Sequence, residues 1–311
     1  MTVGRATGLS HPGRRRRRNE DSWVCDPPLF AVADGMGGAR GGQIASRLAA
    51  AALGSEADGT GQERVVALIQ EANRRVYERG AEDSSASGMG TTITVALVDD
   101  GEVAIGHVGD SRAYLIRDGA LEQLTDDHSL VAELVRSGKL SPEEAETHPQ
   151  RSVITRVLGT DPDVDVDTFS VPAQPGDLFM ICSDGLTSMV GDDTILDVLR
   201  RRRDDLDAAA KELVASANRS GGEDNITVVF FEIADEAQAP PEETAKMPAL
   251  DGDDDDEDTL SGLEGLTLPE ETGPVPGTGQ GRSSRWRAVA VVLAILLILL
   301  AAAALYWALY L

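Results

Sequence analysis

The stretch "TTITVALVDDGEVAIGHVGDSRAYLIRDGALEQL", Thr91–Leu124, decides how the rest of the chain is read. It is rich in Val, Ile, Leu and Thr, and Asp99-Asp100-Gly101 and Asp118-Gly119 fall where hairpin turns would. It reads as a β-meander. Further strands are expected in "LFAVAD" (29–34), "DLFMICSD" (177–184) and "NITVVFFEI" (225–233). Between them the spacing turns helical. Gly41–Leu53 and Gln62–Arg79 are expected helices, the second with Val65, Leu68, Ile69 and Val76 at turn spacing, as are 127–146, 192–200 and 205–219. Strand pairs mixed with helices, without a regular βαβ repeat, point to an α+β protein with antiparallel sheets and helices packed outside.

The same strands carry acids at their ends. "LFAVADGMGG" closes on Asp34-Gly35, "DLFMICSDGL" on Asp184-Gly185, and "EDNITVVFF" opens on Asp224-Asn225. Glu20-Asp21 precede "SWVC", and Asp110 stands in "GHVGDSR". One Asp-Gly after a strand is ordinary turn chemistry. A set of them, brought together by stacked sheets, would repel unless cations sat between. All-oxygen ligands without a His pair or CxxC favour Mg²⁺ or Mn²⁺ over zinc. Two such ions about 3.5–4 Å apart would activate a water and clamp a phosphoryl oxygen. An arginine is the natural partner for the phosphate, and "GRRRRRNEDSW" (13–23) supplies five.

Composition bounds the alternatives. The 311 residues carry a net charge of −25, which argues against nucleic acid as a general partner. Cys25 and Cys182 each border an apolar run and read as buried small hydrophobes. No signal peptide is visible at the N-terminus.

Three zones follow: a globular domain over 1–234, a linker over 235–287, and a transmembrane helix over 288–311. Residues 235–281 hold fourteen acids against one base, Lys246, with repeated Pro and Gly and no aromatic residue, as in disordered, self-repelling segments. "AVAVVLAILLILLAAAALYWALYL" (288–311) has 24 residues and no charge, enough for a helix of about 36 Å. Arg282, Arg285 and Arg287 stand before it, which places the globular domain on the cytoplasmic side of the cell membrane.

"RRRRRNED", "VADGMGG", "GTTITVAL", "GHVGDSRAYLIRDG", "LTDDHS", "ITRVLG", "DLFMICSDGL" and "EDNITVVFF" occur in the order found in metal-dependent protein serine/threonine phosphatases of the type 2C family, bacterial branch, and residues 3–234 resemble that family. The resemblance implies a β-sandwich of two antiparallel sheets flanked by helices, in α-β-β-α layers. It implies hydrolysis of phosphoserine and phosphothreonine on proteins by a water activated by two Mn²⁺ or Mg²⁺ ions. It makes Arg16 the phosphate ligand. It gives one metal to Asp34, Asp184 and Asp224, and a second to Asp34, the carbonyl of Gly35 and Glu20 largely through water. Asp21 becomes an acceptor for water on the metals, and Asn225 orients Asp224. A third, weaker ion would use Asp110 and Asp184. Departures are Met36 and Ala39, where relatives carry His, and Ser188, where an acid is frequent, so no histidine is assigned as general acid. Implied partners are phosphoproteins, above all a membrane serine/threonine kinase and its targets. His107, His128 and His148 are expected to be structural, His11 to be plain surface, and Arg200–Arg203 a solvated helix end.

Overall fold

The computed structural model describes residues 1–37, 41–83 and 86–235. Ala39, residues 236–287 of the linker and the apolar run 288–311 lie outside the described residues. Among the described residues no helix is long and apolar enough to cross a membrane.

The elements run β1 (Thr2–His11), β2 (Asp21–Asp26), β3 (Leu29–Met36), α1 (Gly41–Ala52), α2 (Gly61–Glu82), β4 (Gly90–Thr91), β5 (Ile93–Asp99), β6 (Glu102–Val108), β7 (Arg112–Arg117) and β8 (Ala120–Gln123). They continue as α3 (Leu130–Arg136), α4 (Pro142–Glu146), β9 (Asp167–Pro172), β10 (Leu178–Cys182), α5 (Asp184–Thr187), α6 (Asp192–Arg201), α7 (Leu206–Arg219) and β11 (Ile226–Ala234). One antiparallel sheet has the order β1-β11-β10-β7-β8, the other β2-β3-β5-β6-β9, with β4 paired to β3.

Each central strand is buried on both faces, so it reads as a nearly continuous apolar run. In β3, Phe30 and Val32 point between the sheets, where Phe30 stacks on Phe231 at 4.1 Å and Phe231 on Phe179 at 5.0 Å. Ala31 and Ala33 point the other way, against α1 and α2. On the far side α6 and α7 cover β10 and β11 through Ile195, Leu199 and Leu213. This is the expected α-β-β-α sandwich.

The Thr91–Leu124 stretch is not a single meander. β5 and β6 form a hairpin in one sheet, β7 and β8 a hairpin in the other, and the chain crosses between sheets at Gly109–Ser111. Gly109 allows the crossing: its φ is +119°, and a Cβ there would lie 2.4 Å from Thr92. The helical reading of 127–146 resolves into two short helices, α3 and α4, separated by Gly138, whose φ is +69°. Three strands were not foreseen, β1, β2 and β9, which pair with β11, β3 and β6 at sheet edges. The arginines of 200–203 are not merely solvated. Arg201 and Arg202 both pair with Glu212, and Arg203 with Glu232.

Candidate functional site

Antiparallel pairing brings the acid-bearing strand ends to one end of both sheets. Asp21 opens β2 opposite Asp34 near the end of β3, so their Cα atoms are direct partners. Asp184 follows β10 and Asp224 precedes β11, and these two strands are antiparallel neighbours. Asp110 lies in the crossing between the sheets. The set expected from sequence, Glu20, Asp21, Asp34, Asp110, Asp184 and Asp224, is thus gathered in one region.

Its frame is made of hydroxyls and amides. Asp34 N donates to Thr92 Oγ1 at 3.1 Å, Thr91 Oγ1 donates to the Asp34 carbonyl at 2.8 Å, and Thr92 Oγ1 lies 2.9 Å from Ser111 Oγ. Asp21 is buried, and its Oδ2 accepts from Thr227 Oγ1 at 2.5 Å and Ser183 Oγ at 2.9 Å. Those bonds tie one sheet to the other beneath the acids. Ser183, Thr227, Thr92 and Ser111 were not singled out from sequence. Their roles come from cross-strand register, which no local motif encodes.

The glycine beside Asp34 is set by close approach. A Cβ on Gly35 would stand 2.0 Å from the Gly42 carbonyl at the start of α1, and Gly35 N donates to the Glu20 carbonyl at 3.2 Å. Met36, next in line, is an exposed large hydrophobic side chain, 41% accessible. Ser188 caps α5 with its N–H on the Asp184 carbonyl.

The arginine run forms a closed loop. Asn225 Nδ2 donates to the carbonyls of Pro12 at 3.1 Å and Arg18 at 2.9 Å, while its Oδ1 accepts from Glu20 N at 2.7 Å. Arg14 N and Arg15 N both donate to the Gly222 carbonyl. Asn225 therefore orients the loop and Glu20, a wider role than the expected one of steadying Asp224. Arg16 Nη2 reaches Asp224 Oδ2 at 2.7 Å. His11, expected as plain surface, accepts from Gly13 N at the loop's base.

Crowding controls the charges. Burial, then Asp21, Asp184, Asp110 and Asp224, hold the Asp34 carboxyl well above the usual carboxylate range. Burial pushes Asp21 up to about 7 against the pull of its two hydroxyl donors, and Asp110 up to about 8 with Asp184 adding to it. Asp184 is raised by burial and by Asp224, with Asp34 and Arg16 opposing the shift. Glu20 is raised by burial, and Arg16 opposes the shift.

Asp21 Oδ1, Asp110 Oδ1 and Asp184 Oδ1 are buried without any hydrogen-bond partner. Unpaired buried carboxylate oxygens are costly, and three in one region fit a site completed by hard cations. Among the described residues no three such side chains are drawn together as a ready-made cage.

His107 and His128 form a buried pair, ring centroids 4.8 Å apart. His107 bonds Thr94 Oγ1 and the Asp126 carbonyl, and His128 bonds Gly109 N and Asp167. Both serve packing, as expected. His148 Nδ1 accepts from Gln150 N. Cys25 and Cys182 are buried free thiols.

Known proteins share this arrangement. The family model "Protein phosphatase 2C" matches residues 8–222. The serine/threonine phosphatase stp of Listeria welshimeri is 42% identical over 233 residues, 71% of this chain and 92% of that one. The crystal structure of the Mycobacterium tuberculosis serine/threonine phosphatase PstP/Ppp superposes with a TM-score of 0.70 at 38% identity, over 75% of this chain and 100% of that one. The catalytic domain of PstP in complex with two manganese ions superposes with a TM-score of 0.69 at 36% identity, over 76% and 100%. With its sandwich, its acids at one end and these similarities, the chain belongs to the protein phosphatase 2C family of hydrolases.

Proposed function

We propose that this chain is a protein serine/threonine phosphatase that hydrolyses phosphoserine and phosphothreonine on proteins and depends on Mn²⁺ or Mg²⁺. The observation that carries the reading is the meeting of Asp21, Asp34, Asp110, Asp184 and Asp224 at one end of both sheets, with unpaired buried oxygens, next to Arg16. Asp34, Asp184 and Asp224 would hold one ion; Asp34, the Gly35 carbonyl and Glu20 a second; Asp110 and Asp184 a weaker third. Two such cations neutralise the acids, lower the pKa of a water and stabilise charge on the phosphoryl group.

The chain's own residues do the positioning. Arg16 makes one hydrogen bond among the described residues, through Nη2, so the rest of its five-donor fork is free for phosphoryl oxygens. Asp224 aims the guanidinium at the acids. Asp21, fixed through Oδ2 by Ser183 and Thr227, keeps Oδ1 without a partner, and that oxygen would accept from water. The test is phosphate release from a phosphothreonine peptide with and without Mn²⁺. Metal-dependent turnover that Asp34→Asn abolishes is expected; turnover without metal, or retained by the variant, overturns the reading.

The remaining parts of the reading rest on sequence. Residues 1–234 form the catalytic domain, 235–287 a charged linker and 288–311 a single membrane span, with the domain cytoplasmic. The uncharged run of 24 residues and Arg282, Arg285 and Arg287 support it. Substrates are then membrane-proximal phosphoproteins, including a membrane serine/threonine kinase. Alkali-resistant membrane association lost on deleting 288–311 is expected; a wholly soluble full-length chain overturns it.

A further inference from the structure

The arginines next to Arg16 have no part in the chemistry derived above. Arg14, Arg15 and Arg17 are exposed and make no side-chain hydrogen bond or ion pair among the described residues. Arg18 differs, because its charge acts on Glu20. The loop that carries them is pinned at both ends by Asn225 and in its middle by Gly222. Three uncompensated cations are thus held on a fixed frame at the edge of an acidic region, in a chain of net charge −25.

We infer that Arg14, Arg15 and Arg17 form a selectivity rim for phosphoproteins bearing Asp or Glu close to the phosphorylated residue. The inference rests on the phosphatase reading and names the substrate class of that same site. A substrate phosphate on Arg16 fixes the distances. Neighbouring Cα atoms in the loop stand about 3.8 Å apart, and an extended substrate advances about 3.3–3.6 Å per residue. Carboxylates within about three positions of the phosphorylated residue therefore fall against the neighbouring arginines. Without the rim, no cation beyond the phosphate site would offset the repulsion between an acidic substrate and an acidic protein. Exposed charges act mainly on encounter and are screened by salt.

The experiment uses the full-length protein in nanodiscs with Mn²⁺. It compares phosphothreonine peptides with three flanking Asp, none, or three flanking Lys, for wild type and for Arg14→Gln/Arg15→Gln/Arg17→Gln. Wild type should favour the acidic over the neutral peptide about ten-fold in kcat/KM, through KM and with a steep salt dependence, given the usual worth of exposed charge pairs. The triple Gln variant should lose that preference while keeping neutral-peptide turnover within about two-fold, since its remaining site is intact. The triple Lys variant should retain most of the preference. Equal use of acidic and neutral peptides by wild type, or an unchanged preference in the Gln variant, overturns the inference. So does a Gln phenotype seen only as altered sensitivity to phosphatidylserine in the nanodisc, which would make the loop a lipid contact. Absence of turnover on every peptide would instead remove the phosphatase reading.

Discussion

Arg16 Nη2 sits 2.7 Å from Asp224 Oδ2, so the residue assigned to phosphate and one assigned to metal hold each other. Both side chains are substantially exposed, 51% and 33%, so the pair itself adds little stability. Its worth is in aiming the guanidinium. Arg16→Ala should raise KM for a neutral phosphopeptide about 10–100-fold, the range of a charge-assisted hydrogen bond. Arg14→Ala should change it less than about two-fold, as expected of an exposed charge. Steady-state kinetics on both variants checks the contrast, and equal effects would mean the run acts as a block.

Asp34 is crowded by four other carboxylates. Asp34→Asn should cut metal-dependent turnover by about 10³-fold or more, and should raise the melting temperature of the metal-free protein at pH 8 by relieving repulsion. The stabilising shift that Mn²⁺ gives wild type should shrink in the variant. Calorimetry with and without Mn²⁺ reads both effects.

The acids also set a pH slope. Asp21 and Asp110 have pKa values raised to about 7 and 8 from 3.8, so the metal-free folded protein binds more protons than the unfolded chain in that window. Stability is full below about pH 4 for these groups and is lost as pH rises through 7–8. Mn²⁺ should therefore raise the melting temperature more at pH 8 than at pH 5.5. An equal shift at both values would show that these carboxyls are not the cation's partners.

His107 gives the opposite slope. Burial, with His128 adding to it, lowers His107 to about 4 from 6.5, so the unfolded chain binds the proton first. Its contribution is present above pH 6.5 and lost as pH falls through 4, up to about 3 kcal/mol. Between pH 7 and pH 4.5 the urea midpoint of His107→Gln should gain on that of wild type, because the variant lacks this acid-side loss. His128, also lowered by burial, leaves a residual slope of the same sign in the variant.

The central strands and the acids were legible because burial on both faces writes a continuous apolar run, and the runs of β3, β10 and β11 each begin or end at an Asp. β1 was not legible: "TVGRATGLSH" has no apolar run and becomes a strand only because β11 offers an edge. The sheet crossing at Gly109 looks like one more hairpin turn until its backbone angle is known. Ser183 and Thr227 are small polar residues beside apolar runs, and only the pairing of β10 with β11 and the stacking of the sheets deliver their hydroxyls to Asp21.

On the loop's side its closure uses only main-chain atoms: the carbonyls of Pro12 and Arg18 accept from the Asn225 side chain, and the amides of Arg14 and Arg15 donate to the Gly222 carbonyl. Its shape is thus written elsewhere in the chain, and its side chains are free to drift. Substitutions at 14, 15 and 17 can retune what the enzyme accepts without disturbing how it reacts, so taste and chemistry can evolve at separate rates within one short segment.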